Sequence, residues 1–346
     1  MPVSPVRVGV LDQAPISEGS NGALALRNSV DLAMHADTLG FARYWVAEHH
    51  GTPMLACASP EALIGPIAAA TSRIRVGSGG VMLPHYSPLK VAETFSMLGG
   101  LFPDRIDLGL GRAAGTDPTT TFALQRDRRE VAPDDFPHQL AELLAYLGDT
   151  LPANHPFARL ASLPGRPGTA DPWLLGSSPQ SAVWAAELGI PYAFADFINP
   201  AGAGIARRYR DEFVPSRWGR QPRVMVALWV TCAETDAEAE RLAASARMAF
   251  TLLQRGELIA VPTVERALRF IEEERARPAA ALPPRARRRI VGAPGVVRAG
   301  IEAAAGDYGA DEVMVVTITH DHDARRRSYE LIAEALGLRR EDMAAA

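Results

Sequence analysis

Residues able to do chemistry are concentrated in a few short polar runs that interrupt apolar ones. Gly176-Ser177-Ser178-Pro179 joins a strand-like run, Trp173 to Leu175, to a stretch of helical period. Ser178 falls at the N-cap and Pro179 at the first helical position, so free backbone N–H groups, two hydroxyls and the positive end of a helix dipole converge on one point. Such a cup suits a phosphate. Arg112, just past another apolar run, is placed to supply its charge-assisted partner. The plainer reading of the pair is an ordinary N-cap and a surface arginine. Gly77-Ser78-Gly79-Gly80 weakens a strand from within, which marks a bulge or the close approach of a flat ligand to backbone, with sheet curvature as the alternative. Glu48-His49-His50 invites a metal, but adjacent histidines at a strand end point to opposite sides. His320 and His322 read better as a helix cap or a solvated pair, and no His, Cys, Asp or Glu set has a recognised ligand spacing, so no metal is expected. The tract Arg285-Ala286-Arg287-Arg288-Arg289 reads as a solvated face.

These runs need elements to hold them. Eight short segments rich in Val, Ile and Leu are expected as strands: 6–12, 43–48, 74–83, 105–111, 172–176, 191–196, 223–233 and 312–317. A helical pattern follows each, which is the sequence form of βα units and a parallel sheet. None of the eight reads as a polar edge strand, so a closed (β/α)8 TIM barrel, an α/β fold, fits better than an open sheet. One domain over 1–346 is expected, with insertion segments 112–171 after strand four and 256–294 after strand seven. The latter is expected to form a mobile lid at the barrel mouth. In this fold catalytic groups sit at the C-terminal ends of strands, where the polar runs fall. A phosphate cup on strands four and five beside a side-chain-free wall on strand three suggests a flavin-like ligand.

Composition narrows the partners. The 346 residues are 47% apolar and 22% charged, with a net charge of −4. No excess of positive charge is available for a nucleic-acid backbone or an anionic membrane. Lys90 is the only lysine among 36 basic residues, which reflects codon usage. Cys57 and Cys232 cannot build a disulfide framework or a four-thiolate zinc site, and no apolar run reaches the roughly 18 residues of a membrane helix. A cytoplasmic location is expected.

Several motifs together resemble one family. Arg43-Tyr-Trp-Val-Ala-Glu-His-His50, Thr71-Ser-Arg-Ile-Arg-Val-Gly-Ser-Gly-Gly-Val-Met-Leu-Pro84, Ser87-Pro-Leu-Lys-Val-Ala-Glu93, Phe102-Pro-Asp-Arg-Ile-Asp-Leu-Gly-Leu-Gly-Arg112 and the run from His320 to Leu331 are similar to those of bacterial luciferase-like flavin-dependent monooxygenases. The resemblance runs from Val8 to about Leu338 and weakens across 119–170 and 245–290. It implies a barrel that binds FMN as FMNH2, delivered by a separate NAD(P)H:flavin reductase, and oxygenates a small organic substrate with O2 through a flavin C4a-hydroperoxide. It makes His49 the histidine beside the flavin ring and the acid/base, working near pH 7. Gly79 and Gly80 become a strand-three bulge with a non-prolyl cis peptide. Arg112, Ser177 and Ser178, with Gly176 in the same turn, become the phosphate site. A homodimer is also implied. Gly111 and Gly176 stand where luciferase has a reactive cysteine and a glutamate, which argues against light emission. Two alternatives remain open: an F420-dependent hydride-transfer enzyme and a catalytically silent flavin-binding protein.

Overall fold

The computed structural model describes residues 6–113, 115–125, 127–130, 134–160, 168–276 and 289–338. Strands β1 (Arg7–Asp12), β2 (Arg43–Val46), β3 (Arg75–Met82), β4 (Ile106–Gly111), β5 (Asp171–Gly176), β6 (Tyr192–Ala195) and β7 (Val224–Cys232) pair in parallel with their sequence neighbours. The ring is closed by β9 (Glu312–Val316), which pairs with both β7 and β1. This is the expected eight-stranded barrel, and each of the eight expected segments contributes one strand.

A ninth strand was not expected. The strand β8 (Arg289–Gly292) pairs in parallel with the last residues of β7, in register Trp229 with Arg289 and Cys232 with Gly292. It lies inside the segment 256–294. That segment also holds α9 (Val264–Ala276), which packs Ala267 and Ile271 against Ala244, Met248 and Leu252 of α8 (Asp236–Gln254). A helix anchored on its apolar face is no loose lid, so the expectation is corrected over these residues; 277–288 lie outside the described residues. Within 112–171, α5 (Phe136–Gly148) packs on α3 (Pro88–Leu101), so the middle of that stretch is a barrel helix. The short α4 (Pro118–Leu124) precedes it.

Two apolar cores form, because strands of a barrel present alternate residues to helices and to the interior. The outer one joins strands to helices, with Tyr44, Phe95, Tyr146 and Tyr308 fully enclosed. The inner one contains Leu11, Trp45, Trp173, Met225 and Met314. The base of the barrel is plugged by charge. Arg43 lies 2.6 Å from both Asp107 and Glu312, and Arg75 lies 2.7 Å from Asp107. The indole N–H of Trp45 donates to Asp107, while Arg43 and Arg223 stack over Trp173 at 5.1 and 4.8 Å. Removing one partner of such a buried pair costs about 3–5 kcal/mol, since the other charge is left uncompensated. This fixes the base, so the mouth at the opposite end is where polar groups are left to bind. Among the described residues no helix is long and apolar enough to cross a membrane.

Candidate active site at the barrel mouth

The turn after β5 is built around a glycine. A Cβ on Gly176 would lie 2.1 Å from the Ser181 hydroxyl. That hydroxyl donates to the Ser178 carbonyl at 2.8 Å and sits 2.9 Å from the Tyr192 hydroxyl. The Asn199 side chain donates to the Ser177 carbonyl at 2.9 Å. Both serine carbonyls are therefore engaged, and Ser178 caps α6 (Pro179–Leu188) by accepting from the Ser181 N–H. Pro179 brings no N–H and the Ser181 N–H is taken by the Ser178 hydroxyl, so within the first turn of the helix the Gln180 N–H is the one left without an intrahelical carbonyl. The expected strand–turn–helix geometry at Gly176, Ser177 and Ser178, with Ser178 as N-cap, is present.

Arg112 is not yet part of it. Its guanidinium lies 5.6 Å from the ring centre of Trp184, on the same helix α6, and 3.5 Å from an Asp134 oxygen. No hydrogen bond joins it to Ser177 or Ser178. The Arg112 and Asp134 side chains are 52% and 65% exposed, so their attraction is screened and weak.

The strand-three bulge is also present. The ladder with β4 slips between Ser78 and Val81, and the Gly79–Gly80 peptide is cis. A Cβ on Gly79 would meet Leu11 at 2.5 Å, and one on Gly80 the Gly109 carbonyl oxygen at 2.8 Å. The crowding that demands these glycines comes from the barrel itself, and it leaves a wall without side chains.

Beside that wall, Glu48 is fully buried. One of its oxygens accepts from the Met82 N–H at 2.9 Å. The other lies 2.8 Å from Nε2 of His50 and accepts from the Tyr86 hydroxyl at 3.1 Å. Glu48 thereby ties the end of β2 to the end of β3, a role the sequence did not reveal. His50 is consumed by this clamp and by Thr116, whose hydroxyl donates to its carbonyl. His49 is left free: its N–H donates to the Cys57 carbonyl, while its Nδ1 is buried without a partner. Burial first, and the neighbouring His50 second, push its imidazole down to about 4. The expected titration near pH 7 is therefore corrected; His49 is a neutral imidazole there.

An apolar wall completes the mouth. Phe197 stacks on Trp229 at 5.7 Å, and Trp229 meets Phe250 of α8 at 4.2 Å. Leu175, Ala195 and Ile259 pack beside them and stay partly open. These aromatics come from three distant segments, and nothing in their spacing announced the cluster.

The remaining polar runs are structural. Asp321 caps α11 (His322–Leu336), His320 lies 3.1 Å from the Glu18 carbonyl and His322 2.8 Å from Asp31. Among the described residues no group of three or more metal-ligating side chains converges. Of the arginine tract, 285–288 lie outside the described residues and Arg289 opens β8.

The mouth thus combines a glycine turn at a helix start, a wall without side chains, an imidazole nitrogen without a partner among the described residues, and an aromatic flank. A family model described as luciferase-like monooxygenase matches residues 6–312. The chain belongs to the luciferase-like monooxygenase family. It is an oxidoreductase of that family. It is 47% identical to protein YwcH of Bacillus subtilis, over 95% of this chain and 99% of that protein. It is 39% identical to the N-acetyl-S-alkylcysteine monooxygenase of the same organism, over 77% of this chain and 80% of that one. The crystal structure of apo-MsnO8 superposes with a TM-score of 0.88 at 43% identity, covering 96% of this chain and 99% of that chain. Solved structures of the same fold hold FMN or F420. The former is seen in the oxygenating constituent of 3,6-diketocamphane monooxygenase (18% identity, TM-score 0.71), the latter in an F420-dependent secondary alcohol dehydrogenase (13%, 0.67).

Proposed function

We propose that this luciferase-like chain is the oxygenating component of a two-component monooxygenase, taking FMNH2 from a separate NAD(P)H:flavin reductase and using O2 on a small organic substrate. The observation that carries this reading is the Ser177–Ser178 turn, whose carbonyls are held by Asn199 and Ser181 at the start of helix α6, where an anion is favoured. When bound, reduced flavin supplies the two electrons that activate O2; the oxygen chemistry belongs to the cofactor.

The chain's own residues bind, orient and exclude water. The turn and the dipole of α6 hold the phosphate, and Arg112 leaves Asp134 to join it. The Gly79–Gly80 wall lets the ring lie against backbone. His49, neutral at pH 7, offers one ring nitrogen as a hydrogen-bond partner at the ring edge. The Phe197–Trp229–Phe250 wall keeps the reacting centre dry and seats the substrate. A small-molecule substrate accords with the relative named for N-acetyl-S-alkylcysteine, and a homodimer belongs to the same proposal.

The F420 relative supports a second reading, hydride transfer without O2. Titration of the purified protein with FMN, FMNH2 and F420, followed by O2 consumption, separates the two. Tight FMNH2 binding with substrate-dependent O2 uptake supports the proposal. Tight F420 binding with no O2 uptake contradicts it.

A further inference from the structure

A second cluster of charge adjoins the aromatic wall. Arg247 and Arg289 line a cavity of about 230 Å³ with Glu240, Ala243 and Val291. Arg289 is the register partner of Trp229 in the parallel pair β7–β8, so the two side chains leave the sheet on one face. Arg247 stands one turn before Phe250 on α8, and residues three apart on a helix are surface neighbours. Trp229 and Phe250, which touch at 4.2 Å, thus neighbour the cavity through Arg289 on the sheet and Arg247 on the helix without lining it themselves.

The charges in that corner do not balance. Arg289 makes no hydrogen bond or ion pair with any described residue. Among the described residues Arg247 reaches only Glu240, at 4.0 Å, and that carboxylate is 63% exposed. Desolvation, then the like charge of Arg247, hold Arg289 below the usual guanidinium range, with Glu240 opposing. Arg289 is exposed and Arg247 is 33% exposed, so the two cations face an open cavity with one loosely placed counter-charge among the described residues. A planar carboxylate, accepting paired hydrogen bonds from guanidinium, relieves that arrangement.

We propose that Arg247 and Arg289 bind the carboxylate of the substrate, and that the substrate is an amphipathic monoanion whose apolar body lies against Trp229 and Phe250. This deepens the monooxygenase reading and rests on it only for calling the ligand a substrate.

The test measures binding of ω-phenylalkanoates of increasing chain length, and of their neutral amides, by calorimetry. It is run on flavin-free protein and on protein holding reduced FMN without oxygen. The acid of best length binds about 10- to 100-fold tighter than its amide. Arg289→Met and Arg247→Met each erase most of that preference while leaving the amide's affinity unchanged, and Trp229→Ala weakens both ligands. Equal affinities, no binding of either series, or a preference surviving both arginine substitutions overturns the proposal. So does inorganic phosphate competing as well as the acid, which would make the pocket a site for free anions. The flavin-free arm stands even if FMNH2 fails to bind, so this inference and the cofactor reading fail separately.

Discussion

Nε2 of His50 lies 2.8 Å from Oε1 of Glu48, while Nδ1 of the adjacent His49 is buried with no partner among the described residues. Two neighbouring histidines thus have opposite fates, one locked into the scaffold and one left for a ligand. Glu48→Ala leaves the Met82 N–H and the Tyr86 hydroxyl without their acceptor in a buried place. A loss of about 2–4 kcal/mol is expected, since each stranded donor costs about 1–3 kcal/mol and part of it finds water. Urea unfolding of the variant measures it, and an unchanged midpoint would show that the clamp contributes nothing.

His49→Ala removes the hydrogen-bond partner proposed for the ring edge and should lower product formation about ten- to a hundredfold at saturating flavin, the scale of one lost buried hydrogen bond. A variant that loses flavin yet keeps its rate at saturating cofactor would contradict the placement.

The same residue predicts a pH dependence of stability. Its value falls from 6.5 in the unfolded chain to about 4 in the fold, so between these values the unfolded state binds more protons. Stability from this group is complete above about pH 6.5 and is lost as pH falls toward 4, by up to about 3 kcal/mol. His49→Asn should flatten that slope, leaving the part due to His35, which burial also lowers. Superimposable curves for both proteins would exclude burial as the cause.

The Gly176 turn tolerates no side chain, because a Cβ there collides with the Ser181 hydroxyl. Gly176→Ala should displace Ser181 and release the Ser178 carbonyl into the cup, weakening FMNH2 at least tenfold at an unfolding cost of about 1–3 kcal/mol. Full affinity in this variant would put the phosphate elsewhere.

The barrel was legible because its eight strands are apolar runs each followed by a helical period. β8 was hidden, since a four-residue strand directly after a basic tract carries no periodicity to read. The cup at Gly176–Ser178 was visible from the order strand, glycine, two serines, proline. What the sequence withheld depends on the fold: Tyr192 of β6 and Asn199 just after that strand reach the Ser177–Ser178 turn, and Arg112 rests on Trp184 and Asp134. The depressed imidazole of His49 follows from burial, which one residue's type does not encode. The segment 256–294 misled through its Pro- and Arg-rich composition, which masked the apolar face of α9 at Val264, Ala267 and Ile271.

The proposed phosphate site has Arg112 exchange a weak partner, Asp134, for the phosphate. Asp134→Asn should therefore tighten FMNH2 binding by a few-fold at most, the scale of one half-exposed ion pair. Weaker binding in this variant would instead make Asp134 part of the binding-competent arrangement.

The central claim, that a phosphate-bearing reduced flavin is held at the Ser177–Ser178 turn with Arg112, is tested most directly by comparing anaerobic affinities for FMNH2 and reduced riboflavin, which differ only in the phosphate. Charge-assisted hydrogen bonds of about 1.5–3 kcal/mol each predict a preference for FMNH2 of about 10²- to 10³-fold in the natural protein, falling by about ten- to a hundredfold in Arg112→Ala. Equal affinity of the natural protein for the two flavins would contradict the account.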